Sequence, residues 1–427
     1  MKLSRIGRVS MAFVVSVAMG LGMTACGGGT IGFMWVLGTQ YNQIAAFKID
    51  DFTGNLTQIV GSPFTSGGAD PVSIVVSSGG RFVYVINHGS TAAPTGSGTL
   101  PCGTAGGIAE FSVGGQGVLS FQQCFTSQGF NPVWATKDST GSYLYVLDQQ
   151  APDAVCSGTN VTATSCYGDI TAFAIASDTG RLSLIVNQQE KVGQAQLTYF
   201  PVGNTPTMMT VTGGCVFALN TGLSPTLQTL PTVTPFSSGT GGQLTQTTNS
   251  FISINATRPT SILTGASNVF ITDAGAQNST GQILPFTVGT ASACSLDTVT
   301  GGPVANLPLT ANPVYSLADS TGKYLYIANQ SSTNSTLANS SLSAFNLQTA
   351  PYTAIPDGAN NPYTVGAGPV CIVEDPSNQY LYTSNGDGTV TGKLLDKNTG
   401  KLSNLSRGST FQAVGQASCL AVSGNVD

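Results

Sequence analysis

Apolar and polar residues alternate in short runs along most of the chain, and no stretch shows a convincing helical period. One such run, residues 81–89, is "RFVYVINHG", a β-branched and aromatic segment that stops at Asn87. Runs of this length, bounded by Gly, Asn, Asp and Ser, are typical of β-strands. The pattern therefore predicts an all-β protein.

This run recurs seven times. Each copy contains an aromatic residue near the end of a predicted strand: Trp35, Tyr84, Tyr145, Phe217, Phe270, Tyr326 and Tyr382. A proline precedes six of the seven copies, by 13 residues in four and by 11 in two: Pro71, Pro132, Pro206, Pro259, Pro313 and Pro369. Both spacings are consistent with a strand, a tight turn and a returning strand.

A second predicted hairpin follows in most copies. Segments such as "QIAAFKIDDFTGNLTQI" (43–59), "DITAFAIASDTGRLSLI" (169–185) and "TVTGKLLDKNTGKLSNL" (389–405) alternate around a Thr-Gly turn. Four strands per unit and seven units predict a seven-bladed β-propeller that occupies residues 30–427 as one domain. The first copy lacks a Pro-started strand, and "QASCLAVSG" (416–424) resembles "GPVCIVED" (368–375). We therefore expect the C-terminal strand to complete the first blade.

The first 26 residues have the organisation of an export signal. Three basic residues, Lys2, Arg5 and Arg8, precede an apolar segment, 11–23, that is too short to span a bilayer. The following "MTAC" resembles the lipobox of bacterial lipoproteins, in which the cysteine is acylated. We expect a signal peptide over 1–25, a lipid on Cys26 and a tether over 26–29. An ordinary signal peptide cut after Ala25 is the alternative.

Charge limits the partners that the chain can have. Only 8% of residues are charged, and removal of the signal peptide leaves 11 Lys and Arg against 19 Asp and Glu, a net charge of −8. A nucleic-acid partner is not expected, because there is no basic patch to displace counterions. We expect an exported monomer that is held at a membrane by its N-terminal lipid.

Eight cysteines remain after Cys26: Cys102, Cys124, Cys156, Cys166, Cys215, Cys294, Cys371 and Cys419. An even number in an exported chain suggests up to four disulfides, with 105 pairings possible. Three pairs are suggested by position and the fourth by elimination: Cys371–Cys419, Cys156–Cys166, Cys102–Cys124 and Cys215–Cys294. The chain has no C-x-x-C and one histidine, so neither a metal nor another cofactor is expected.

The strand-turn-"YLYV(A/L)N" unit and the "TG(R/K/N)L" hairpin resemble the seven-bladed lactonase family, which includes 6-phosphogluconolactonase-like proteins. The resemblance covers essentially residues 30–425 and implies the architecture more specifically than the activity. Family enzymes carry "GPRH"-type and "NRGHDS"-type segments at the active face. The counterparts here, "AGPVCIVED" and "NQSSTNSTLANSSLSAF" (329–345), have no histidine or arginine at these places, so no catalytic residue is carried over.

Polar residues are expected to gather on one face of the propeller, around the channel. The ends of the second strands supply Asn87, Asp148, Asn220, Asp273, Asn329 and Asn385, and the positions before the blade prolines add Asp70, Asn131, Thr205, Arg258, Asn312 and Gly368. Of these we select Asn87, Asp70, Asp273, Asn329 and Asn385 as ligand-binding candidates. Asn and Asp also end strands for purely local reasons, because their side chains bond nearby backbone.

One set of residues supports a catalytic hypothesis. His88 would act as general base on water, Asp148 would orient it, and Arg258 would stabilise an oxyanion. The competing interpretation is that His88 is incidental, one polar residue after one of seven strand ends. "SNGDGTV" (384–390) has spaced Asn and Asp that hint at calcium, but a hairpin turn is the better prediction, because the segment lacks the glutamate of an EF-hand loop.

Three functions remain open on sequence grounds. The preferred one is a non-catalytic envelope lipoprotein that binds a carbohydrate, peptide or protein. The second is a hydrolase of neutral sugar lactones that uses His88, and the third is a structural or assembly component of the envelope. The scarcity of titratable residues favours the first over the second.

Overall fold

The alternating runs form antiparallel strands that are hydrogen-bonded in sheets around a common axis. The structure is a computed structural model that describes residues 29–91, 98–156, 162, 165–192, 194–222, 231–247, 250–265, 268–276, 281–299, 311–331 and 340–424. These residues form 35 strands and two short 3₁₀ helices, Thr240–Gly242 and Gly358–Asn360. No helix within the described ranges is long and apolar enough to cross a membrane.

Seven of the sheets are blades of four main strands, most of them with a short extra strand at the rim. Blade 1 contains β1 (Thr30–Gly38), β2 (Gln43–Asp50), β3 (Leu56–Gln58) and β4 (Phe64–Thr65), and blade 2 contains β5 (Pro71–Val76), β6 (Phe82–Asn87), β7 (Gly107–Val113) and β8 (Leu119–Phe125). Blade 3 contains β9 (Phe130–Lys137), β10 (Tyr143–Gln150), β11 (Asp169–Ile175), β12 (Leu182–Ile185) and, after the small hairpin β13 (Lys191–Val192) and β14 (Ala195–Gln196), β15 (Phe200–Pro201), and blade 4 contains β16 (Pro206–Thr212), β17 (Cys215–Asn220), β18 (Thr232–Ser238), β19 (Leu244–Gln246) and β20 (Ile252–Ser253). Blade 5 contains β21 (Pro259–Gly265), β22 (Asn268–Asp273), β23 (Gln282–Val288) and β24 (Leu296–Thr298), blade 6 contains β25 (Ala311–Ala318), β26 (Tyr324–Ser331), β27 (Ser341–Asn346), β28 (Thr353–Ala354) and β29 (Tyr363–Thr364), and blade 7 contains β30 (Pro369–Glu374), β31 (Tyr380–Asn385), β32 (Thr389–Leu395), β33 (Leu402–Asn404) and β34 (Thr410–Gln412). The predicted seven-bladed propeller is confirmed.

The ring is closed by the last strand, β35 (Ala417–Gly424), which pairs antiparallel with β1 and forms the innermost strand of blade 1. In this register Trp35 pairs with Ala421. The Cys371–Cys419 disulfide joins β30 of blade 7 to β35. The predicted C-terminal closure is therefore confirmed, and a covalent bond ties it to the neighbouring blade.

All four predicted disulfides are present: Cys102–Cys124, Cys156–Cys166, Cys215–Cys294 and Cys371–Cys419. The first two lie within blades 2 and 3, and the third joins blade 4 to blade 5. Structural disulfides persist in oxidising compartments and are rare in the cytosol. The protein is therefore an exported one.

The two repeated sequence motifs meet at the blade interfaces. In five blades the repeat aromatic donates a hydrogen bond to the carbonyl of a turn glycine in the next blade: Trp35 to Gly117, Tyr84 to Gly180, Tyr145 to Gly242, Tyr326 to Gly400 and Tyr382 to Gly54. Each of these aromatic side chains is buried, and a buried polar tip needs such a partner. The repeat in the sequence is thus a repeat of inter-blade contacts.

Large side chains meet in the central channel. Trp134 of β9 and Tyr315 of β25 come from blades 3 and 6, and their ring centroids are 5.9 Å apart. Each ring packs against several hydrophobic clusters of the surrounding blades. The channel axis is therefore filled by aromatic side chains at this level.

Candidate functional site

His88 and Asp70 form a pair at the end of blade 2. Strand β5 begins at Pro71 and β6 ends at Asn87, and these two residues are register partners. The residues just beyond them therefore face each other: the backbone N–H of His88 donates to the carbonyl of Asp70 at 2.8 Å, and His88 Nδ1 lies 3.6 Å from Asp70 Oδ2.

The imidazole of His88 is positioned through one nitrogen. Nδ1 also lies 3.4 Å from the carbonyl oxygen of Gly89, and within the described residues the recorded contacts of the ring are made through Nδ1. This arrangement leaves Nε2 available to a ligand. The side chains of His88 and Asp70 are 29% and 41% exposed, so both are accessible from solvent.

The backbone explains why Asp70 occupies this place. Its φ of 55° lies in the left-handed region, and its N–H donates to Asn42 Oδ1 at 2.8 Å. Three other residues before a blade proline share this conformation: Asn131, Thr205 and Gly368. Asp, Asn and Gly tolerate it best, which accounts for much of the polar composition at these positions.

A pocket of about 520 Å³ opens between blades 2 and 3 beside His88. Its polar lining is formed by His88, Ser90, Thr104, Ser127, Gln128 and Asn131, and Phe130 and Pro132 add an apolar edge. No lysine or arginine is among its described lining residues. Hydroxyl and amide groups of this kind suit a neutral, hydroxyl-rich molecule better than an anion.

A pair of buried carboxyl groups lies beneath the blade 3 wall of this pocket. Asp148 and Asp169 are register partners on β10 and β11, and both are fully buried. The Thr171 hydroxyl has one proton to donate, and it lies 3.3 Å from Asp148 Oδ2 and 3.4 Å from Asp169 Oδ2. The backbone N–H of Gln128 donates to the same Thr171 oxygen, which connects the pair to the pocket wall.

Burial raises the pKa of both carboxyl groups, and the charge of Asp148 adds to the rise at Asp169. Two facing carboxylates cannot both be ionised cheaply in a medium of low polarity. The Oδ1 atoms of both side chains lack a hydrogen-bond partner among the described residues. Near neutral pH the pair therefore retains a proton.

The other strand-end residues are bonded within their own blades. Asn220 donates to the hydroxyls of Thr232 and Thr234 at 3.2 and 2.9 Å and accepts the N–H of Gly203 at 3.1 Å. Asn385 makes the same contacts with Thr389 and Thr391. None of the predicted ligand-binding residues Asn87, Asp273, Asn329 and Asn385 is more than 1% exposed. Their ligand-binding role stays a prediction, and their burial favours a structural one.

The structure does not assemble the three predicted catalytic residues. Arg258 is exposed at the start of blade 5, where its Nη2 donates to Asn312 Oδ1 at 3.1 Å, and it does not line the pocket of His88. Asp148 lies buried below the pocket wall, because strand-end side chains turn towards the third strand of their own blade. The carboxylate that faces His88 is that of Asp70, a residue predicted to bind ligand.

The sequence contains a signal for the contact between Asp70 and His88, although Asp70 was predicted only as a ligand-binding residue. Pro71 opens the first strand of the blade and Asn87 closes the second, so their antiparallel pairing brings residues 70 and 88 together. Asp169 was missed because it opens a third strand, where other blades have Gln, Gly, Thr or Ser.

No cluster of three or more metal-binding side chains occurs in the described part of the chain. The segment 384–390 forms the predicted hairpin turn: Gly388 N–H donates to Asn385 carbonyl at 3.0 Å, and Asp387 accepts from the Thr389 backbone. The acid that suggested calcium is thus used within its own turn.

Comparisons with known proteins agree with this architecture. The family model described as "Lactonase, 7-bladed beta-propeller" matches residues 30–164. The chain is a seven-bladed propeller that resembles the lactonases. No curated protein sequence matches it significantly.

Three solved structures extend the likeness over nearly the whole chain. A Bacteroides uniformis protein whose proposed activity is that of a 6-phosphogluconolactonase has a TM-score of 0.64 at 12% identity, over 92% of this chain and 100% of its own. A protein from Lactobacillus plantarum has a TM-score of 0.64 at 16% identity, with the same coverage. The periplasmic gluconolactonase of Pseudomonas aeruginosa has a TM-score of 0.61 at 14% identity, over 93% of this chain and 100% of its own. At these identities the likeness establishes the fold.

Proposed function

We propose that the protein hydrolyses a neutral, hydroxyl-rich lactone bound in the pocket between blades 2 and 3. The observation that supports this most strongly is the His88–Asp70 pair, 3.6 Å apart at the edge of a polar pocket of about 520 Å³. A solvent-accessible histidine that is oriented by a carboxylate through one ring nitrogen is a suitable general base. The resemblance to the lactonase family and the gluconolactonase among the similar structures add support.

The reaction needs one proton to be taken up and returned. His88 Nε2 removes a proton from water as its oxygen bonds to the acyl carbon of the lactone. The bond between that carbon and the ring oxygen then breaks, and the ring oxygen takes the proton from His88. The product is an open-chain hydroxy acid, which ionises in solution. Asp70 stabilises the imidazolium between the two steps. Gln128 and Asn131 line the pocket, and their side-chain amides donate to the carbonyl oxygen.

Charge narrows the substrate class. The described lining of the pocket contains no cation, so a phosphate group on the sugar would be left without a counter-charge. An unphosphorylated sugar lactone or a simple aliphatic lactone avoids that cost. It also agrees with an exported protein, which does not meet the sugar phosphates of the cytosol.

The test is hydrolysis of neutral lactones by the mature chain without its lipidated Cys26, residues 27–427. The rate is measured by pH-stat titration, with the spontaneous rate subtracted. Glucono-δ-lactone, galactono-γ-lactone and δ-valerolactone form the panel. We expect His88→Ala to lose about 100-fold or more in kcat/KM, since general-base catalysis contributes about 10²–10⁴-fold. Arg258→Ala is the matched control: Arg258 is another residue of the catalytic hypothesis but lies outside the pocket, so this variant should keep full activity.

A recognition module is the second candidate, and one observation favours it. The two segments that carry histidine and arginine in the family's enzymes have neither here, at 329–345 and 367–375. Folded wild-type protein that binds glucono-δ-lactone or methyl glucoside without turnover would support this candidate and contradict the hydrolase. No observation favours a purely structural envelope role.

We also propose that the N-terminus anchors the protein to a membrane. Cys26 and the signal segment lie outside the described residues, so the support is the "MTAC" motif alone. Metabolic labelling with a fatty-acid probe should mark the wild type and not Cys26→Ser, which should be released from membranes. Equal labelling of both proteins would contradict the anchor.

A further inference from the structure

The third strands of the blades differ at one buried position. In six blades a phenylalanine stands next in sequence to the residue that pairs with the repeat aromatic: Phe47, Phe111, Phe173, Phe236, Phe286 and Phe345. Each of these rings is at most 8% exposed and packs in a hydrophobic cluster between blades. In blade 7 the equivalent residue is Lys393, the register partner of Leu381.

Lys393 is as buried as the phenylalanines that it replaces, at 5% exposure. Its Nζ donates to Asn404 Oδ1 at 2.7 Å, across the β32–β33 pair. The ion pairs recorded within the described ranges are His88–Asp70 and Lys401–Asp357, so Lys393 has no carboxylate within 4 Å there. A buried lysine is normally paired, because a buried charge without a counter-ion is costly.

Lys393 lines a cleft at a position where six blades carry a buried phenylalanine. A cavity of about 640 Å³ lies between blades 6 and 7, and its polar lining includes Lys393, Asn404, Thr364, Thr391, Ser409 and Thr410. A second recess of about 330 Å³ on the far side of the lysine shares Thr364, Lys393 and Asn404 with it. The cleft therefore combines one ammonium group with several hydroxyl groups.

We propose that this cleft binds a small hydroxylated carboxylate, such as a sugar acid, with its carboxylate on Lys393 and its hydroxyl groups on the surrounding threonines and serine. The ammonium supplies the charge-assisted hydrogen bond that a carboxylate requires. The acid among the described lining residues, Asp387, does not compete for the lysine. Its Oδ2 accepts the N–H of Ala367 at 2.8 Å and its Oδ1 accepts the N–H of Thr389 at 3.0 Å.

The electrostatics of the cleft agree with this assignment. Burial lowers the pKa of Lys393 because the charged amine is poorly solvated there. A bound carboxylate reverses that effect by stabilising the ammonium form. Where part of the amine is unprotonated, ligand binding is therefore expected to be accompanied by proton uptake, which calorimetry in buffers of different ionisation enthalpy measures.

The experiment is isothermal titration calorimetry of the mature chain with sodium gluconate, methyl glucoside and inorganic phosphate. We expect saturable gluconate binding and no binding of methyl glucoside, which lacks the carboxylate. Lys393→Met and Lys393→Phe should each weaken gluconate binding by at least about 10-fold, the worth of one charge-assisted hydrogen bond. Lys393→Phe should also raise Tm by about 2–4 °C, because it restores the packing of the other six blades.

The matched control is Lys48→Met. Lys48 lies on the third strand of blade 1, one residue after Phe47, which is the equivalent of Lys393 in that blade. It contacts the side chain of Gln116 and is not among the residues that line the cleft between blades 6 and 7. Its replacement should therefore leave gluconate binding unchanged. His88→Ala should bind gluconate like the wild type, because its pocket lies between other blades. The proposal is overturned if the wild type does not bind gluconate, if methyl glucoside or phosphate binds equally well, or if Lys393→Met binds gluconate like the wild type.

Discussion

Asn87 and His88 are neighbours in the chain, yet they belong to two different regions of the molecule. Asn87 is 1% exposed and is one of the strand-end residues that bond within their blades. His88 is 29% exposed and faces Asp70 at the edge of a pocket. The comparison shows that the strand-end side chain is buried and bonded within its blade, whereas the next residue along the chain is accessible from solvent.

The buried strand-end residues of blades 3 and 4 show a second contrast. In blade 4 the strand-end Asn220 is satisfied by the hydroxyls of Thr232 and Thr234. In blade 3 the same three places hold Asp148, Asp169 and Thr171, two acids and one hydroxyl. An amide makes these contacts without a charge, so the fold does not need the acid pair. The pair makes the stability of blade 3 depend on pH.

The largest effect is expected when the ring is broken in blade 4. Asn220→Ala removes three hydrogen bonds and leaves the buried N–H of Gly203 and two hydroxyls without this partner. We expect a loss of about 2–3 kcal/mol in the free energy of unfolding, measured by urea denaturation. Asn255→Ala, at an exposed asparagine nearby, should change it by less than about 0.5 kcal/mol. Similar losses for the two variants would contradict a structural ring.

Replacing one acid of blade 3 should have a smaller effect, of opposite sign. The raised pKa values mean that the native state binds protons more tightly than the unfolded chain, so the wild type loses stability as pH rises through the folded pKa. Asp148→Asn copies the residue of four other blades and removes the part of that loss that is due to Asp148. We expect it to be more stable than the wild type by about 1–2 kcal/mol at pH 8 and nearly equal at pH 4.

Replacement of the exposed Asp178 by Asn is the control for that change. It should leave the free energy of unfolding unchanged at both pH 4 and pH 8. If the wild type and Asp148→Asn have parallel stability curves between pH 4 and pH 8, the buried pair does not share a proton as described.

The smallest effect is expected at the solvent-accessible His88–Asp70 pair. Asp70→Asn keeps a residue that tolerates the left-handed backbone at φ 55°, and it removes the charge that faces His88 Nδ1. We expect kcat/KM for a neutral lactone to fall about 10-fold with the free energy of unfolding unchanged. Asp148→Asn, on the same panel, should lose less than about threefold. The reverse ranking would assign the orienting role to Asp148.

Much of the fold follows from patterns visible in the sequence. Seven aromatic positions and the Thr-Gly turns predict the blades because those residues meet at the interfaces, as Tyr382 and Gly54 do. The closure was visible because residues 416–424 resemble residues 368–375, and the matching cysteines in those segments are bonded.

The site was less predictable, because side-chain direction at a strand end is not set by alternation alone. Asp148 turns inward to Thr171, although the ends of the second strands were predicted to face the channel. Arg258 contacts Asn312 of the next blade, far along the chain from His88. Lys393 was overlooked because a single lysine has meaning only when the third strands of the seven blades are aligned by their register.

The most direct test measures two quantities on two adjacent residues. For Asn87→Ala and His88→Ala, kcat/KM on glucono-δ-lactone and the free energy of unfolding are determined with the wild type. We predict that His88→Ala loses about 100-fold or more in kcat/KM with unchanged stability, and that Asn87→Ala loses about 1 kcal/mol of stability with kcat/KM within about threefold. Wild-type protein without turnover, or a His88→Ala variant that retains it, would contradict the account.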